Sequence, residues 1–190
     1  MKKFTKQENS WMFYDWGSSA FSVIITTAIF PIYYKAQATD AGISGADSTA
    51  YLGYTISVFT FILAMLGPIL GTIADYKGLK KKFFLSFMGL GVFSTFALIF
   101  VPEGQWLLLL IVFTLASLGS TGANVFYDGF LVDVTDDNRM NQVSARGFGL
   151  GYIGSAIPFV ISIAIILLAQ QGILPISSTT ASKIAFLITC

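Results

Sequence analysis

The chain has 190 residues, of which 55% are hydrophobic and only 11% charged, and its mean hydropathy is +0.74. A soluble domain usually carries about 25% charged residues, so this composition excludes an ordinary water-soluble fold and indicates a lipid bilayer as the solvent. With no histidine and a single cysteine, Cys190, the sequence offers neither a zinc, haem or iron–sulfur site nor a disulfide framework, and we expect no metal and no cofactor.

Long apolar runs separated by short polar segments predict membrane-spanning helices. Continuous runs of roughly 20 residues fit helices and lack the short alternating pattern of a membrane barrel. We place spans at about 11–34, 52–74, 83–101, 106–127 and 148–169. A sixth begins near 183 and stops at Cys190; a helix of that length rises only about 12 Å, so the sixth helix is expected to be cut short. Residues 1–190 are thus expected to form one all-α membrane bundle.

The basic residues are distributed unevenly among the connecting segments. Nine of the eleven precede span one or lie between spans two and three or four and five, and only Lys35 and Lys183 lie in the alternate segments. Basic residues concentrate in cytoplasmic loops, so the N-terminus and loops near 75–82 and 129–146 are expected in the cytoplasm, and no nucleic acid is needed to explain them. Aromatic residues near span ends are typical of membrane interfaces: Trp11, Trp16, Tyr33, Tyr34, Tyr51, Trp106 and Tyr127.

Two predicted helices carry polar residues at spacings of three and four, which place them on one face. The stripe of span one is Asp15, Ser18, Ser19, Ser22 and Thr26, and the stripe of span four is Thr114, Ser117, Thr121, Asn124 and Asp128. Lipid cannot satisfy such groups, so the two helices could line one side of a polar substrate cavity. The alternative is hydrogen bonding within and between helices without any substrate. Asp15 needs water, a ligand ammonium group or a basic partner such as Arg146.

Small residues recur at helical spacing in two other spans. Gly67 and Gly71 are four residues apart in span two, and Gly147, Gly151 and Gly154 have spacings of four and three around the start of span five. This spacing allows close helix contact, which would suit either fixed packing or a sliding surface.

The polar stretch 71–82 joins spans two and three and combines an acid, a turn glycine and a basic cluster. Gly78 allows a tight turn, and Asp75 could stabilise the start of the next helix or pair with the lysines. Asp128 at the end of span four is a second candidate acceptor. We call the resulting set the latch: Gly71, Asp75, Gly78, Lys80, Lys81 and Asp128. The alternative is that the lysines merely fix the topology.

This stretch resembles the loop between helices two and three of the major facilitator superfamily, whose pattern is Gly-x-x-x-Asp-x-x-Gly-x-basic-basic. Gly71, Asp75, Gly78, Lys80 and Lys81 match it. Tyr76 and Leu79 depart from it, because basic residues are usual at both positions.

Four other segments are similar to the autophagy-related vacuolar effluxer family and its bacterial relatives. They are Ser10-Trp11 with the run 14–21, the run Pro31-Ile32-Tyr33-Tyr34, the run 67–75 and the run 143–154, and together they cover about residues 10–160. The resemblance implies a transporter of about twelve helices that works by alternating access. This chain would be its N-terminal six-helix half, with helices one and four lining the cavity and helices two and five beside the missing C-terminal half.

The resemblance also implies a function, namely secondary transport of a small solute across the bacterial inner membrane. Fungal members are associated with amino-acid export from vacuoles, so an amino acid is the candidate solute, with Asp15 or Asp128 as candidate carriers of a coupling proton. A non-transporting membrane scaffold or assembly factor is the alternative. An enzyme is not expected, since the chain has no histidine base, no usable cysteine nucleophile and no nucleotide-binding loop.

Overall fold

The computed structural model describes residues 3–74 and 78–190, and the regular structure in these two ranges is entirely helical. The helices are α1 (Lys6–Asp40), α2 (Gly45–Ala74), α3 (Leu79–Ala97, extended by a 3-10 turn at Leu98–Phe100), α4 (Trp106–Val134), α5 (Asp137–Gln170) and α6 (Ser178–Thr189). By length and composition, the first five are long and apolar enough to cross a membrane. Within α1, a π-helical segment, Ser22–Ala28, separates two α-helical parts.

Several helices extend well beyond the apolar spans. α4 continues to Val134 and α5 begins at Asp137, so the segment 129–146, expected to be a loop, is almost wholly helical. Hydropathy marks only the apolar part of a helix, whereas backbone hydrogen bonds continue the helix through polar residues. α6 begins at Ser178 rather than near 183, because the Ser177 hydroxyl accepts the Thr180 N–H at 3.1 Å and caps the helix.

Contacts between helix termini define two ends of the bundle. At the N-terminal end, the start of α1 meets the end of α4 and the start of α5, where Glu8 contacts Thr135 and Arg139. At the opposite end, the Gly104 N–H donates to Gln37 Oε1 at 2.9 Å, and Lys183 donates to the Val101 carbonyl at 3.0 Å.

Two apolar clusters fill the interior. The larger surrounds Phe30 of α1 and Phe113 of α4, whose rings stack with centroids 4.3 Å apart. The smaller lies at the N-terminal end around Trp11, Tyr127 and Val143. The interpretation of Trp11, Tyr33, Tyr34 and Tyr127 as lipid-interface residues was wrong, because all four are at most 6% exposed and pack inside the protein.

The α3–α4 crossing is close enough for backbone contact. A Cβ atom on Gly91 would lie 2.9 Å from the Ser120 nitrogen, and one on Gly119 would lie 2.8 Å from the Leu90 carbonyl carbon. Only glycine fits at such a contact. Neither residue was singled out in the sequence, because one glycine on each of two helices produces no repeat along the chain.

Candidate functional site

The two helices that carry the polar stripes are direct neighbours in the fold. Trp11 Nε1 donates to the Tyr127 carbonyl at 3.0 Å, and the Tyr127 hydroxyl donates to the Trp11 carbonyl at 3.2 Å. One turn further along α1, the Tyr14 hydroxyl donates to Asn124 Oδ1 at 3.4 Å. Residue numbers fall along α4 as they rise along α1, so the helices are antiparallel, and the stripe of α4 meets α1 at Asn124.

The stripe residues differ in how far they are covered. Ser22, Thr121 and Asp128 are exposed, Ser117 is buried, and the partly buried members are Asp15, Ser18, Ser19, Thr26, Thr114 and Asn124. The Thr114 hydroxyl donates to the Leu110 carbonyl at 2.7 Å, as the simple packing alternative predicts. The Ser117 hydroxyl has no hydrogen-bond partner within the described part of the chain.

Asp15 lies against α5 but not against Arg146. A Cβ atom on Gly151 would lie 2.6 Å from Asp15 Oδ2 and 2.7 Å from Ser19 Oγ, which places both side chains at the α1–α5 contact. The Arg146 guanidinium instead lies over the Phe4 ring, 4.8 Å from its centroid. Arg146 as the partner of Asp15 was therefore wrong, and the ion pairs formed within residues 3–74 and 78–190 leave Asp15 without one.

A second acidic side chain of the stripes, Asp128, lies on α4. It follows Tyr127, which bonds to Trp11 of α1, four residues before Asp15. Both acids therefore lie toward the same end of the α1–α4 pair. An ionised acid inside a membrane bundle needs water, a proton or a cation to balance its charge, so this region suits a cationic ligand or a proton.

The glycines of α5 form a close contact with α1. A Cβ on Gly147 would lie 2.6 Å from Trp11 Cζ3, and one on Gly154 would lie 2.8 Å from the Trp16 Cα. Gly147 and Gly151 thus make room for side chains of α1, and at Gly154 the α1 backbone itself approaches α5. Gly67 and Gly71 behave differently, since a Cβ at either would meet nothing within 4 Å. The expectation of helix packing at Gly67 and Gly71 therefore finds no counterpart in the described residues.

Lys80 of the latch pairs with an acid that the sequence analysis did not single out. Lys80 Nζ pairs with Asp133 Oδ2 at 2.7 Å and also donates to the Gly129 carbonyl at 3.1 Å. Asp128, the second candidate acceptor for the lysines, does not pair with Lys80, because α4 runs past the predicted end of span four and carries Asp133 to this lysine. Gly78 has φ +84°, the left-handed conformation that glycine adopts easily, and Lys81 is exposed. Asp75 lies outside the described residues.

Glu8 is the most buried charged residue in the described structure, at 1% exposure, and was overlooked in the sequence. Its carboxylate accepts the Thr5 N–H at 2.7 Å and the Thr135 hydroxyl at 2.7 Å, and it pairs with Arg139 at 3.2 Å. The sequence did contain a signal, because Thr5 and Glu8 form a capping box at the start of α1. We call Glu8, Thr135 and Arg139 the anchor, since they join α1, α4 and α5.

A cavity of about 250 Å³ opens between α1, α3, α4 and the last residues of α6. Its walls are mostly apolar, with Phe13, Phe21, Met88 and Val92 among them, and its polar members include Thr95 and Ser120. Of the two stripes, Ser18 alone contributes to its described lining. The stripes and this cavity are therefore largely separate surfaces.

Together these features define an integral membrane protein, a bundle of membrane-length helices with close glycine crossings and polar stripes on two adjacent helices. Residues 44–190 match the family described as "Vacuole effluxer Atg22 like", and the chain belongs to that family. It is 65% identical over its whole length to the "Uncharacterized MFS-type transporter YxiO" of Bacillus subtilis (strain 168). The family predicted from the sequence motifs is confirmed.

A second relative is an "Uncharacterized protein" of Aquifex aeolicus (strain VF5), 32% identical over 153 residues, which are 77% of this chain. The chain spans 44% of the Bacillus protein and 35% of the Aquifex protein, which is less than half of each. No solved structure matches the chain.

Proposed function

We propose that the chain forms the N-terminal six-helix half of a secondary transporter, which moves a small solute across the bacterial inner membrane by alternating access. The family match and the whole-chain similarity to an MFS-type transporter support a transporter. The observation that carries the proposal furthest is the antiparallel α1–α4 pair, whose polar stripes carry Asp15 and Asp128 toward the same end of the bundle. These stripes are this half's contribution to the solute path.

The charge of this surface indicates the chemical class of the solute. Asp15 is half-buried, Asp128 is exposed, and neither belongs to an ion pair formed within the described residues. An ionised carboxylate inside a membrane bundle costs free energy that a cation recovers. An amino acid carries an ammonium group that could balance the charge of either carboxylate, and a coupling proton could replace it when the site is empty.

Transport assays on the full-length protein, reconstituted in vesicles, test this proposal with a panel of amino acids. Asp15→Asn and Asp128→Asn should each lower the initial rate at least about tenfold, which is the loss of one charge-assisted hydrogen bond, and Asp15→Glu should retain part of it. Asp40→Asn is the matched control, because Asp40 is exposed at the end of α1.

The outcomes separate transport from the alternatives. Wild-type protein that binds and moves no member of a broad solute panel, although folded and abundant, would favour a scaffold. Full activity of Asp15→Asn at normal abundance and with an unchanged dependence on pH would remove Asp15 from the solute path.

We also propose that the N-terminal end of the bundle faces the cytoplasm. Lys3, Lys81 and Gln142 are exposed and belong to this end, whereas Thr39 is exposed at the opposite end of α1. Single cysteines at these four positions, in a Cys190→Ser background, should react with an impermeant thiol reagent from outside intact cells only at Thr39→Cys. External labelling of Lys81→Cys would reverse the topology.

The latch remains part of this proposal. Asp75→Asn in the full-length protein should slow transport more than it lowers membrane abundance, because the charge of Asp75 lies between Gly71 and the lysine cluster in the sequence. Normal transport at normal abundance would count against a latch.

A further inference from the structure

Asn124 of α4 is the member of the two polar stripes whose side chain carries an amide. The stripes contain no lysine or arginine, so Asn124 holds all of their side-chain N–H donors, and the other members carry hydroxyl groups or carboxylates. Asn124 is partly buried and lies about one helical turn from the exposed Asp128. This part of α4 therefore combines a neutral donor with an acid.

Contacts with Tyr14 of α1 decide which end of the Asn124 amide is free. The Tyr14 hydroxyl donates to Asn124 Oδ1 at 3.4 Å. The Tyr14 ring is held in place by two neighbours, because its centroid lies 5.0 Å from that of Phe84, in an edge-on contact, and 4.5 Å from that of Tyr127. With its oxygen directed at Tyr14, the amide presents Nδ2 and its two N–H donors on the other side.

The Nδ2 group of Asn124 is available to a ligand. The hydrogen bonds formed within residues 3–74 and 78–190 engage Asn124 Oδ1 and not Nδ2, and Nδ2 is not one of the buried atoms in these ranges that lack a partner. Water therefore reaches Nδ2, and a ligand oxygen can take the place of that water.

Asp128 completes this site because it shares a face of α4 with Asn124. Side chains four residues apart on a helix are neighbours, with about 5–6 Å between their Cβ atoms. Asp128 belongs to neither of the ion pairs formed within the described residues. A solute with only a carboxylate would be repelled by Asp128, and one with only an ammonium group would leave Asn124 Nδ2 without an acceptor. An α-amino acid carries both groups on one carbon and satisfies both side chains.

We propose that Asn124 and Asp128 bind an α-amino acid as a zwitterion, with the Asn124 N–H groups on its carboxylate and Asp128 on its ammonium group. Tyr14 is a positioning residue, since it acts on the solute only by orienting the Asn124 amide. The proposal rests on the proposed function and narrows it, because it names the solute class and the two side chains of α4 that recognise it.

Equilibrium binding to the purified full-length protein in detergent tests this site without requiring transport. The probes are the standard L-amino acids in radiolabelled form and, for each one that binds, the amine that lacks its carboxylate, which is used as a competitor. In the parent protein the amine should bind about tenfold more weakly than the amino acid, because it lacks one hydrogen bond to a charged group.

Asn124→Leu should remove this difference between amino acid and amine. It keeps the approximate size of the side chain and deletes both N–H donors, so the amino acid should bind about tenfold more weakly while the amine is unaffected. Tyr14→Phe frees the Asn124 amide to rotate, so the same selective loss should be smaller, about threefold. Asp128→Asn should weaken amino acid and amine alike. Asn138→Leu and Tyr152→Phe are the matched controls, because both residues are exposed, and should change neither affinity.

Three results would overturn the proposal. One is that no amino acid binds to the folded parent protein, and transport of another class of solute would then leave the proposed transporter intact. Another is an equal loss for amino acid and amine in Asn124→Leu, which would mean general damage to the site. The third is unchanged selectivity in either Asn124→Leu or Tyr14→Phe. Selective binding without transport in vesicles would instead support the site and count against a transporter.

Discussion

Trp11 and Tyr127 hold α1 and α4 together through each other's backbone. The indole N–H of Trp11 donates to the Tyr127 carbonyl, the Tyr127 hydroxyl donates to the Trp11 carbonyl, and the two rings stack with centroids 4.5 Å apart. Both side chains are almost fully buried. A helix carbonyl that accepts a second bond from a side chain gives a helix pair a fixed register, which an apolar contact alone would leave free to slide.

Tyr127→Phe should lower the free energy of unfolding by about 1 kcal/mol, because it removes one hydrogen bond and leaves the ring stack intact. Trp11→Ala should cost about 3–5 kcal/mol, since it leaves a cavity and frees the Tyr127 carbonyl. Thermal unfolding in detergent measures both. The matched control is Tyr152→Phe, which should change nothing because Tyr152 is 78% exposed. Equal effects at positions 127 and 152 would rule out the reciprocal contact.

The pair formed by Lys80 and Asp133 should contribute little stability despite its short distance. Asp133 is half exposed, so water screens the pair, and coupling between exposed charges is usually about 0–1 kcal/mol. A double-mutant cycle with Lys80→Met and Asp133→Asn should give a small coupling energy that falls with added salt. The same cycle with Asp128→Asn should give none. A larger coupling to Asp128 than to Asp133 would contradict the contact described here.

Features that depend on one stretch of sequence could be predicted. Apolar runs located the helices, and the spacing of Gly147, Gly151 and Gly154 indicated close contact before a partner was known, because both signals follow from the helical repeat. The capping box formed by Thr5 and Glu8 could also have been predicted, because it lies within four consecutive residues. The burial of Glu8 could not, because it depends on Thr135 and Arg139, which are more than a hundred residues away.

Charge partners were harder to predict, because they depend on where helices end and cross. Asp128 was a second candidate acceptor for the lysines while span four was expected to end near 127, but the additional turns of α4 bring Asp133 to Lys80. The Trp11 ring packs against Gly147, and the side chain of the preceding residue, Arg146, lies over the Phe4 ring and not beside Asp15. Where α4 contacts α3 and where α5 contacts α1 cannot be read from the sequence alone.

Ser117→Ala should leave stability unchanged or raise it by about 1 kcal/mol. The Ser117 hydroxyl is buried and has no partner in the described residues, and an unsatisfied buried polar group is destabilising. Ser155→Ala is the control, because its buried hydroxyl donates to the Tyr152 carbonyl at 3.0 Å and its loss should cost about 1 kcal/mol. Unfolding in detergent compares them. A clear loss of stability in Ser117→Ala would mean that the hydroxyl has a partner after all.

Gly151→Ala and Gly67→Ala test which glycines bring helices together. A methyl group at Gly151 would meet Asp15 Oδ2 and Ser19 Oγ at less than 3 Å, so the ends of these two side chains must shift, at a cost of about 1 kcal/mol. At Gly67 a methyl group would meet nothing within 4 Å, and alanine should add up to about 1 kcal/mol through its better helix propensity. The two substitutions should therefore shift the melting temperature in opposite directions. In the full-length protein, a loss at Gly67→Ala as large as that at Gly151→Ala would instead place a close partner against α2.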